Sequence, residues 1–344
     1  MNVHGTRVFV GLSGGVDSAV SAALLKRAGA DITGVFIKGW YPPGMPCTWA
    51  QDRKDAMRVA ARLQIPFITL DASKEYKAGV LDYLVREYGE GRTPNPDVMC
   101  NREVKFGAFY AFARAQGADY IATGHYANVA NGILARGADE DKDQSYFLWA
   151  VPKEALHHTL FPVGNLLKPN VRAMAESFSL PVAKKRDSQG ICFLGNVSVD
   201  DFLIDEFGTN EGIARDTEGA VVGTHDGVLL HTIGSRVALT NAAQGPWYVI
   251  RKNIRENELI VSKERLQSTT QEAILLTDTN WFMVLPSGEV TAQYRYHGPR
   301  VRGTLRGNAF TPSEPIPEAL AEGQSLVIYT EDQVVGGGSI TSAI

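Results

Sequence analysis

The segment with the clearest chemistry lies near the start of the chain, between a short apolar run and an amphipathic one. Two adjacent glycines, Gly14 and Gly15, are flanked by the hydroxyl residues Ser13 and Ser18. Adjacent glycines let the backbone approach a phosphate closely, and a following helix presents free N–H groups and its positive dipole end. Asp17 could take part in magnesium coordination. The pattern is neither GxGxxG nor GxxxxGK(S/T), so it indicates neither a dinucleotide fold nor a Walker ATPase.

Cys100 stands close to a carboxylate in a stiff, proline-containing segment. Pro94 and Pro96 fix the backbone φ angle, so Gly91–Cys100 is predicted to be a loop that presents the thiol. Asp97 lies three residues before the cysteine, within reach to accept or return a proton. An isolated cysteine is more often an inert core thiol. The polar, proline-shaped surroundings favour a reactive thiol at this position.

Cys192 has a different setting, in the glycine-containing string Asp187–Phe193. The basic run Lys184–Arg186 precedes it and would favour the thiolate form. Cys47 has no such neighbours and is interpreted as an inert thiol. Three cysteines without close pairs predict neither a disulfide scaffold nor a zinc site. We therefore expect a reducing, cytoplasmic environment and no structural metal.

Alternating strands and helices must position these residues in the first half of the chain. Strands are predicted at Arg7–Leu12, Ile32–Ile37, Phe67–Leu70 and Tyr120–Thr123. Helices are predicted at about Val16–Ala28, Asp52–Leu63, Lys74–Tyr88 and Val104–Gln116. This alternation predicts an α/β fold, a doubly wound parallel sheet with helices on both faces. Ligands of such sheets bind at the carboxyl ends of the strands, where Ser13, Ile37 and Gly124 lie.

The pattern changes after about residue 200 to short, glycine-punctuated strands. A helix is predicted at Ser198–Phe207, and a further short helix at Pro317–Ala321. The strands of this half are predicted at Val221–Val222, Trp247–Arg251, Leu259–Val261, Glu289–Tyr296, Val301–Leu305 and Ser325–Tyr329. We therefore expect a catalytic domain over residues 1–200, a small central domain over 201–265 and a C-terminal β-barrel over 266–344.

Composition restricts the classes of partner. The 344 residues are 44% hydrophobic and 21% charged, which is typical of a globular protein. The formal net charge of -4 means that any nucleic acid must be held by local basic patches. No apolar stretch has the length that spans a bilayer, and the first strand begins too early for a signal peptide. No membrane partner is expected.

The string Ser13–Ser18 resembles the signature of the PP-loop ATP pyrophosphatases, which cleave ATP between the α and β phosphates and leave an adenylated intermediate. A bare glycine pair is usually a turn, but the whole string after a strand favours nucleotide binding. With the remaining motifs, the chain is similar to the tRNA-specific 2-thiouridylases from near residue 7 to near residue 340. Those motifs are Asn95–Asp97 with Cys100-Asn101, Ala122–Tyr126, Lys142–Tyr146, Asp187–Cys192, His231–Gly234 and Gly336–Gly338.

The resemblance implies that ATP adenylates a wobble uridine of tRNA at its carbon-2 oxygen, and that a cysteine persulfide then supplies sulfur. By position, Cys192 resembles the persulfide carrier, Cys100 the partner that ends in a disulfide with it, and Asp97 the general acid/base. Their Cα atoms must then approach to about 4.4–6.8 Å for the disulfide. ATP with Mg²⁺ and an upstream persulfide sulfur-carrier protein are also implied. The implied ATP-binding residues are Gly11, Leu12, Ser13, Gly14, Gly15, Val16, Asp17, Ser18, Ile37 and Gly124.

The resemblance also implies where tRNA binds. The implied contacts are Asn95, Pro96, Asp97, His125, Lys142, Asp143, Gln144, Arg295, Tyr296 and Gln324. Arginines interleaved with aromatics suit phosphate contact and base stacking, although a charged run is usually a solvated strand face. His125 alone would equally be a structural histidine. The chain departs from the family pattern at two positions. Ile37 stands where family members often have methionine. Ser235 stands where they usually have glutamine, and this second difference bears on contacts of the central domain and not on catalysis.

Other functions remain open from the sequence. Another PP-loop enzyme, such as an amidotransferase-type or lysidine synthetase, would use ammonia or lysine and would not need two cysteines. PP-loop thiolases with an iron–sulfur cluster usually show CxxC pairs, which this chain lacks, although Asp97, Cys100 and Cys192 offer three ligands. A non-enzymatic RNA-binding protein with a decayed nucleotide fold is disfavoured by the intact Ser13–Ser18 string.

Overall fold

The computed structural model describes residues 3–41, 49–187, 198–241, 245–265 and 273–343. Strands of the first part are β1 (Arg7–Gly11), β2 (Asp31–Lys38), β3 (Phe67–Asp71), β4 (Tyr120–Ala122), β5 (Ala127–Ala130), β6 (Ile133–Arg136) and β7 (Thr159–Leu160). Within these residues, β3-β2-β1-β4-β7 form a sheet in that order, and every neighbouring pair is parallel. The predicted doubly wound sheet is confirmed.

Helices cover both faces of this sheet. They are α1 (Val16–Arg27), α2 (Trp49–Leu63), α3 (Ser73–Tyr76), α4 (Asp82–Gly89), α5 (Pro96–Met99), α6 (Phe109–Ala115), α7 (Lys153–His157), α8 (Lys168–Ser177) and α9 (Val199–Phe207). Side chains alternate along β1, so Val8 and Val10 pack in one core while Phe9 packs in the other. Both cores are apolar, which is why the central strands read as continuous hydrophobic runs.

Two π-helical segments interrupt the helices on one face. Lys77–Leu81 joins α3 to α4, and Cys100–Ala108 joins α5 to α6. They pack closely, since a Cβ built on Gly79 would lie 2.7 Å from the Glu103 side chain. Shorter 3₁₀ turns lie at Ser145–Leu148 and Val228–Leu230. π-Helical turns are frequent at functional sites, and one of these begins at the predicted catalytic cysteine.

Two all-β units follow. The first contains β8 (Gly212–Arg215), β9 (Val221–His225), β10 (Arg236–Val237), β11 (Trp247–Asn253) and β12 (Glu258–Ser262), in the order β10-β11-β12-β8-β9. The second contains β13 (Ile274–Trp281), β14 (Glu289–Gln293), β15 (Arg300–Arg306), β16 (Ala309–Pro312), β17 (Ser325–Thr330) and β18 (Gln333–Ala343). Its antiparallel order β13-β16-β15-β14-β17-β18 closes through β13–β18, which confirms the predicted barrel.

The barrel is joined to the first part by strand pairing. The hairpin β5–β6 extends the barrel sheet, with Ala135 opposite Gln333 of β18. The Arg136 N–H also donates to the Asp332 carbonyl at 2.9 Å. Gly337 of β18 meets the Trp149 ring, where a Cβ would lie 3.0 Å from ring atoms. The glycines Gly336–Gly338 therefore serve the geometry of the barrel.

Two predictions about local structure are wrong. The segment ending at Cys100 is helical from Pro96 onward, because Asn95 caps the helix and Pro96 occupies its first turn. No helix forms at Pro317–Ala321, where the described chain is bends and coil between β16 and β17. No helix in the described ranges is both long and apolar enough to cross a membrane.

Candidate active site

The predicted phosphate loop lies where the strand order reverses. In the order β3-β2-β1-β4-β7 the chain runs outward in both directions from β1 and β4, so a crevice forms beyond their carboxyl ends. The loops after these strands touch, because a Cβ on Gly124 would lie 2.5 Å from the Ser18 nitrogen. Ser13, Ile37 and Gly124 thus lie at one edge of the sheet, as predicted.

The conformation of the loop depends on its glycines and hydroxyls. Gly14 has φ +78°, and a Cβ there would lie 2.3 Å from the Asp52 carbonyl oxygen. The Ser13 and Ser18 hydroxyls lie 3.1 Å apart, and the Ser13 N–H donates to Ser18 Oγ at 3.2 Å. Gly15 is the N-cap of α1 and has no side chain to satisfy its first-turn N–H groups. This arrangement suits a phosphate.

The other predicted nucleotide residues lie at strand ends or in the core beneath the loop. Gly11 ends β1, and the Leu12 N–H donates to the Val35 carbonyl at 2.8 Å. Leu12 and Val16 are buried and support the loop from below. Ile37 is buried in β2 opposite Leu70 of β3, so its side chain belongs to the core and its backbone lies near the strand end.

Asp17 is held by Lys168, which the sequence did not single out, and by Tyr126 of the motif Ala122–Tyr126. Both of its carboxylate oxygens accept hydrogen bonds from Lys168 Nζ at 2.8 Å, and Oδ1 also accepts one from the Tyr126 hydroxyl at 2.8 Å. Burial and the charge of Asp17 raise the pKa of Tyr126, so the phenol stays protonated. Asp17 would have to give up part of this ammonium contact to bind a magnesium ion.

Lys168 also contacts Asp187, the last described residue before the segment that contains Cys192. Its Nζ lies 2.9 Å from Asp187 Oδ1. Arg172 donates to the same oxygen at 2.7 Å, and Lys142 donates to Oδ2 at 3.3 Å. Burial raises the pKa of Asp187, but the hydrogen bonds from Lys168 and Lys142 outweigh it and hold the pKa below its usual value. This carboxylate is therefore ionised at neutral pH.

Lys185 ties the same stretch of chain to the phosphate loop. Its Nζ donates to the Gly14 carbonyl at 3.1 Å, to Asp52 at 2.7 Å and to Asp55 at 2.9 Å. Burial lowers its pKa, but the two carboxylates more than compensate and raise it. The basic run before Cys192 was expected to stabilise a thiolate; Lys185 instead directs its charge to the loop and α2.

Asp97 and Cys100 lie one turn apart on a continuous helical segment. Asn95 Oδ1 caps this helix by accepting hydrogen bonds from the N–H groups of Asp97 and Val98 at 3.1 and 3.3 Å. Residues three apart on a helix share a face, so the predicted acid/base and thiol are neighbours. Cys100 is fully buried in an apolar core, whereas a loop thiol in polar surroundings was expected.

The Cys100 segment reaches the nucleotide crevice through His125. Lys105 Nζ lies 3.4 Å from His125 Nε2, and Thr123 Oγ1 lies 2.7 Å from His125 Nδ1. Burial, assisted by the positive charge of Lys105, holds the pKa of His125 well below its usual value. His125 is therefore a neutral, hydrogen-bonded histidine between the helical segment and Gly124.

Cys192 and Cys47 lie outside the described residues. Cys100 is the cysteine that the described part of the chain contains, and no disulfide is formed there. The predicted approach of Cys100 to Cys192 therefore stays a prediction. No group of three or more His, Cys, Asp or Glu side chains in the described ranges is arranged to hold a metal ion.

Three predicted tRNA contacts lie on the stretch after β6, and all three form hydrogen bonds within the protein. Buried Asp143 accepts hydrogen bonds from Arg136, Ser145 and the Gly137 N–H, all at 3.0–3.1 Å. Gln144 Oε1 accepts a hydrogen bond from the Tyr126 N–H at 3.1 Å. The third, Lys142, is half-exposed beside Asp187.

The barrel contacts lie against the first part. Tyr296 packs on Phe147, with ring centroids 4.5 Å apart, and the His297 ring lies tilted against Tyr296 with a centroid distance of 4.0 Å. Burial raises the pKa of Tyr296 to about 12. Arg295 is exposed and donates to Glu318 at 2.6 Å. Gln324 is half-buried at the start of β17, with its carbonyl bonded to the Ile340 N–H at 2.8 Å.

The segment before Asn95 contacts both all-β units. The Thr93 N–H donates to the Glu322 carbonyl of the barrel at 2.7 Å, and Thr93 Oγ1 lies 3.4 Å from Thr232 Oγ1 of the central unit. A Cβ on Gly91 would lie 2.4 Å from Ile254. The predicted catalytic helix is thus approached by all three parts of the chain.

Comparison with known proteins covers nearly the whole chain. Residues 6–196 match the family described as tRNA methyl transferase HUP domain, 200–263 its PRC-barrel domain, and 271–340 the aminomethyltransferase beta-barrel domain. A tRNA-specific 2-thiouridylase MnmA of Streptococcus agalactiae is 42% identical, over 98% of this chain and 95% of the relative. The tRNA-specific 2-thiouridylase MnmA 2 of Geobacillus kaustophilus is 41% identical with the same coverage.

Two solved structures show a weaker similarity. The U34-tRNA thiolase NcsA from Methanococcus maripaludis with its 4Fe-4S cluster is 18% identical, with a TM-score of 0.37 over 52% of this chain and 59% of that one. A 4-thiouridine synthetase–RNA complex with bound ATP is 17% identical, with a TM-score of 0.36 over 56% and 46%.

Proposed function

The chain belongs to the tRNA-specific 2-thiouridylase family, and from this membership we propose that it is an ATP-dependent tRNA sulfurtransferase that makes 2-thiouridine at the wobble position. The observation that supports this best is the meeting of two elements at one crevice. The phosphate loop and Gly124 line it, and the helical segment with Asp97 and Cys100 reaches it through Lys105 and His125.

The first step that we propose is adenylation of the base. The carbon-2 oxygen of uridine attacks the α-phosphorus of ATP, an O–P bond forms, and the bond to the departing pyrophosphate breaks. A carbonyl oxygen is a poor leaving group, whereas AMP is a good one. The N–H groups of α1, with the Ser13 and Ser18 hydroxyls, would bind the phosphates. Mg²⁺ would arrive with ATP as part of the substrate.

The second step transfers sulfur. The terminal sulfur of a persulfide on Cys192 attacks carbon 2, and AMP leaves with the former carbonyl oxygen. The Cys100 thiolate, whose proton passes to Asp97, then attacks the Cys192 sulfur. The bond to the transferred sulfur breaks, that sulfur keeps the electron pair as the 2-thio group, and a Cys100–Cys192 disulfide remains. A thiol reductant restores both cysteines, and a sulfur-carrier protein reloads Cys192.

The tRNA must present an unstacked base to this crevice. We propose that Asn95, Pro96 and Asp97 border the base and that Lys142 contacts the RNA backbone. Arg295, Tyr296 and Gln324 would extend the contact onto the barrel. Because Cys100 is fully buried, we propose that tRNA binding also brings its thiol within reach of the base. This chemistry fits a cytoplasmic enzyme.

Nucleoside mass analysis tests the proposal. Unmodified tRNA is incubated with the protein, ATP, Mg²⁺ and a persulfide donor, and 2-thiouridine is the expected product. Cys100→Ser and Cys192→Ser should abolish sulfur transfer, and Cys47→Ser is the matched control that should retain it. Release of AMP and pyrophosphate without 2-thiouridine in the unsubstituted protein would favour another PP-loop enzyme. No nucleotide cleavage would favour an RNA-binding protein.

A further inference from the structure

Asp187 connects three elements that the proposed function requires to act together. Lys168 bridges it to Asp17 of the phosphate loop, since one ammonium lies within 2.9 Å of both carboxylates. Lys142, a half-exposed residue among the predicted tRNA contacts, donates to its second oxygen. Cys192 follows five residues later in the sequence. The Asp187 carboxylate takes no part in the proposed bond-forming and bond-breaking steps.

Chain geometry limits how far the cysteine lies from this anchor. Five residues span at most about 18 Å when fully extended, so Asp187 defines the region that Cys192 can reach. Arg172 holds this stretch of chain by two hydrogen bonds. It donates to the Asp187 carboxylate at 2.7 Å and to the Lys185 carbonyl at 3.0 Å. A shift of Asp187 would therefore move the point from which the chain extends to Cys192.

The charges of the network indicate which step depends on Asp187. Three cations contact Asp187, namely Lys142, Lys168 and Arg172, and of these Lys168 also contacts Asp17. If Asp187 lost its charge, Lys168 would still have both oxygens of Asp17, so the phosphate loop would keep its partner. Lys185 would still hold the Gly14 carbonyl. The contacts that are lost are those of Asp187 itself with Lys168, Lys142 and Arg172.

We propose that Asp187 is a positioning residue that couples ATP cleavage to sulfur transfer. It aligns the Cys192 segment with the nucleotide site through Lys168, and with the bound tRNA through Lys142. This inference rests on the proposed function and adds to it a residue that does not touch the reacting atoms.

The test measures AMP and 2-thiouridine in the same reaction with persulfide-loaded protein. In the unsubstituted chain the two products should form in equal amounts. Asp187→Asn keeps the size of the side chain but removes its charge. We expect it to lower 2-thiouridine formation by about 10- to 100-fold, as misplacement of a reacting group does, while AMP release stays within about 3-fold. The ratio of AMP to 2-thiouridine therefore rises at least several-fold.

Two further variants make the result specific. Asp187→Glu keeps the negative charge and should return the ratio toward that of the unsubstituted chain. Asp31→Asn is the control. It removes a carboxylate that pairs with Arg7 at the amino ends of β1 and β2, away from the crevice at the carboxyl ends, and it should leave the ratio unchanged. A purely structural role would lower both products of Asp187→Asn in parallel, with a lower denaturation midpoint, and would overturn the inference.

An unchanged ratio in Asp187→Asn would overturn it as well. Failure of the proposed function is distinguishable, because the unsubstituted protein would then form no 2-thiouridine at all. In that case the ratio cannot be defined, whereas failure of the positioning role leaves a normal product yield in the unsubstituted chain and parallel yields in the variant.

Discussion

A methyl group at Gly124 is the smallest change that should disable the nucleotide crevice. A Cβ at this position would lie 2.5 Å from the Ser18 nitrogen and 2.8 Å from the Asp17 carbonyl carbon. Favourable contacts between such atoms lie at about 3.5–4.0 Å, so one loop must move by roughly 1 Å. Both atoms belong to the backbone, so no rotamer change can relieve the overlap.

The magnitude follows from this displacement. Overpacking of a well-packed site costs about 1–3 kcal/mol of folding free energy. A 1 Å misplacement of groups that bind a reacting substrate costs about 100-fold in rate. We therefore expect Gly124→Ala to lower kcat/KM for ATP by about two orders of magnitude and to lower stability only moderately.

The assay is tRNA-dependent AMP release over a range of ATP concentrations, with urea denaturation in parallel. Gly288→Ala is the matched control, because a Cβ there meets nothing within 4 Å. It should change neither quantity. A kcat/KM of Gly124→Ala within about 3-fold of the unsubstituted value would contradict this prediction, because the crevice would then tolerate the displacement of the loop.

Three other properties can be checked directly. Because Cys100 is fully buried, iodoacetamide should modify it at least ~100-fold more slowly than an exposed thiol; peptide mass analysis showing equal rates would contradict this. Burial lowers the pKa of His125, so below about pH 6.5 the unfolded chain binds more protons at this residue than the folded chain, and stability falls as pH drops. His125→Asn should remove this fall, which is about 1.4 kcal/mol per pH unit between about pH 6.5 and 5, as measured by urea midpoints. Tyr296→Ala should destabilise the chain by ~1–3 kcal/mol through lost packing on Phe147, whereas Tyr296→Phe should not; equal stability of both would leave Tyr296 with no structural role.

The parallel sheet was predictable because its signals are local. Each strand is a short apolar run, and the loop after β1 contains Gly14, which the close approach to α2 requires. The same local reasoning failed at Pro96. A proline after a polar residue is common both in loops and in the first turn of a helix. Here the hydrogen bonds that Asn95 accepts as the N-cap stabilise the helix.

The partners of the site residues could not be predicted, because tertiary packing alone brings them together. Lys168 is 151 positions from Asp17, and its sequence neighbourhood resembles any helix start. Asp143 was expected to contact RNA, yet a ring of donors from Arg136 to Ser145 surrounds it. Sequence motifs identify which residues matter, whereas the division between substrate contact and internal support depends on the fold.

The pairing of β6 with β18 has a consequence for how the chain is made. Gln333 leaves the ribosome about 200 residues after Ala135, the residue it pairs with. At typical synthesis rates this is a delay of about 10–40 s. During that interval the outer backbone groups of β6 lack their final partner, and such edges recruit other strands. A chaperone that shields this hairpin would raise the yield of correctly assembled molecules.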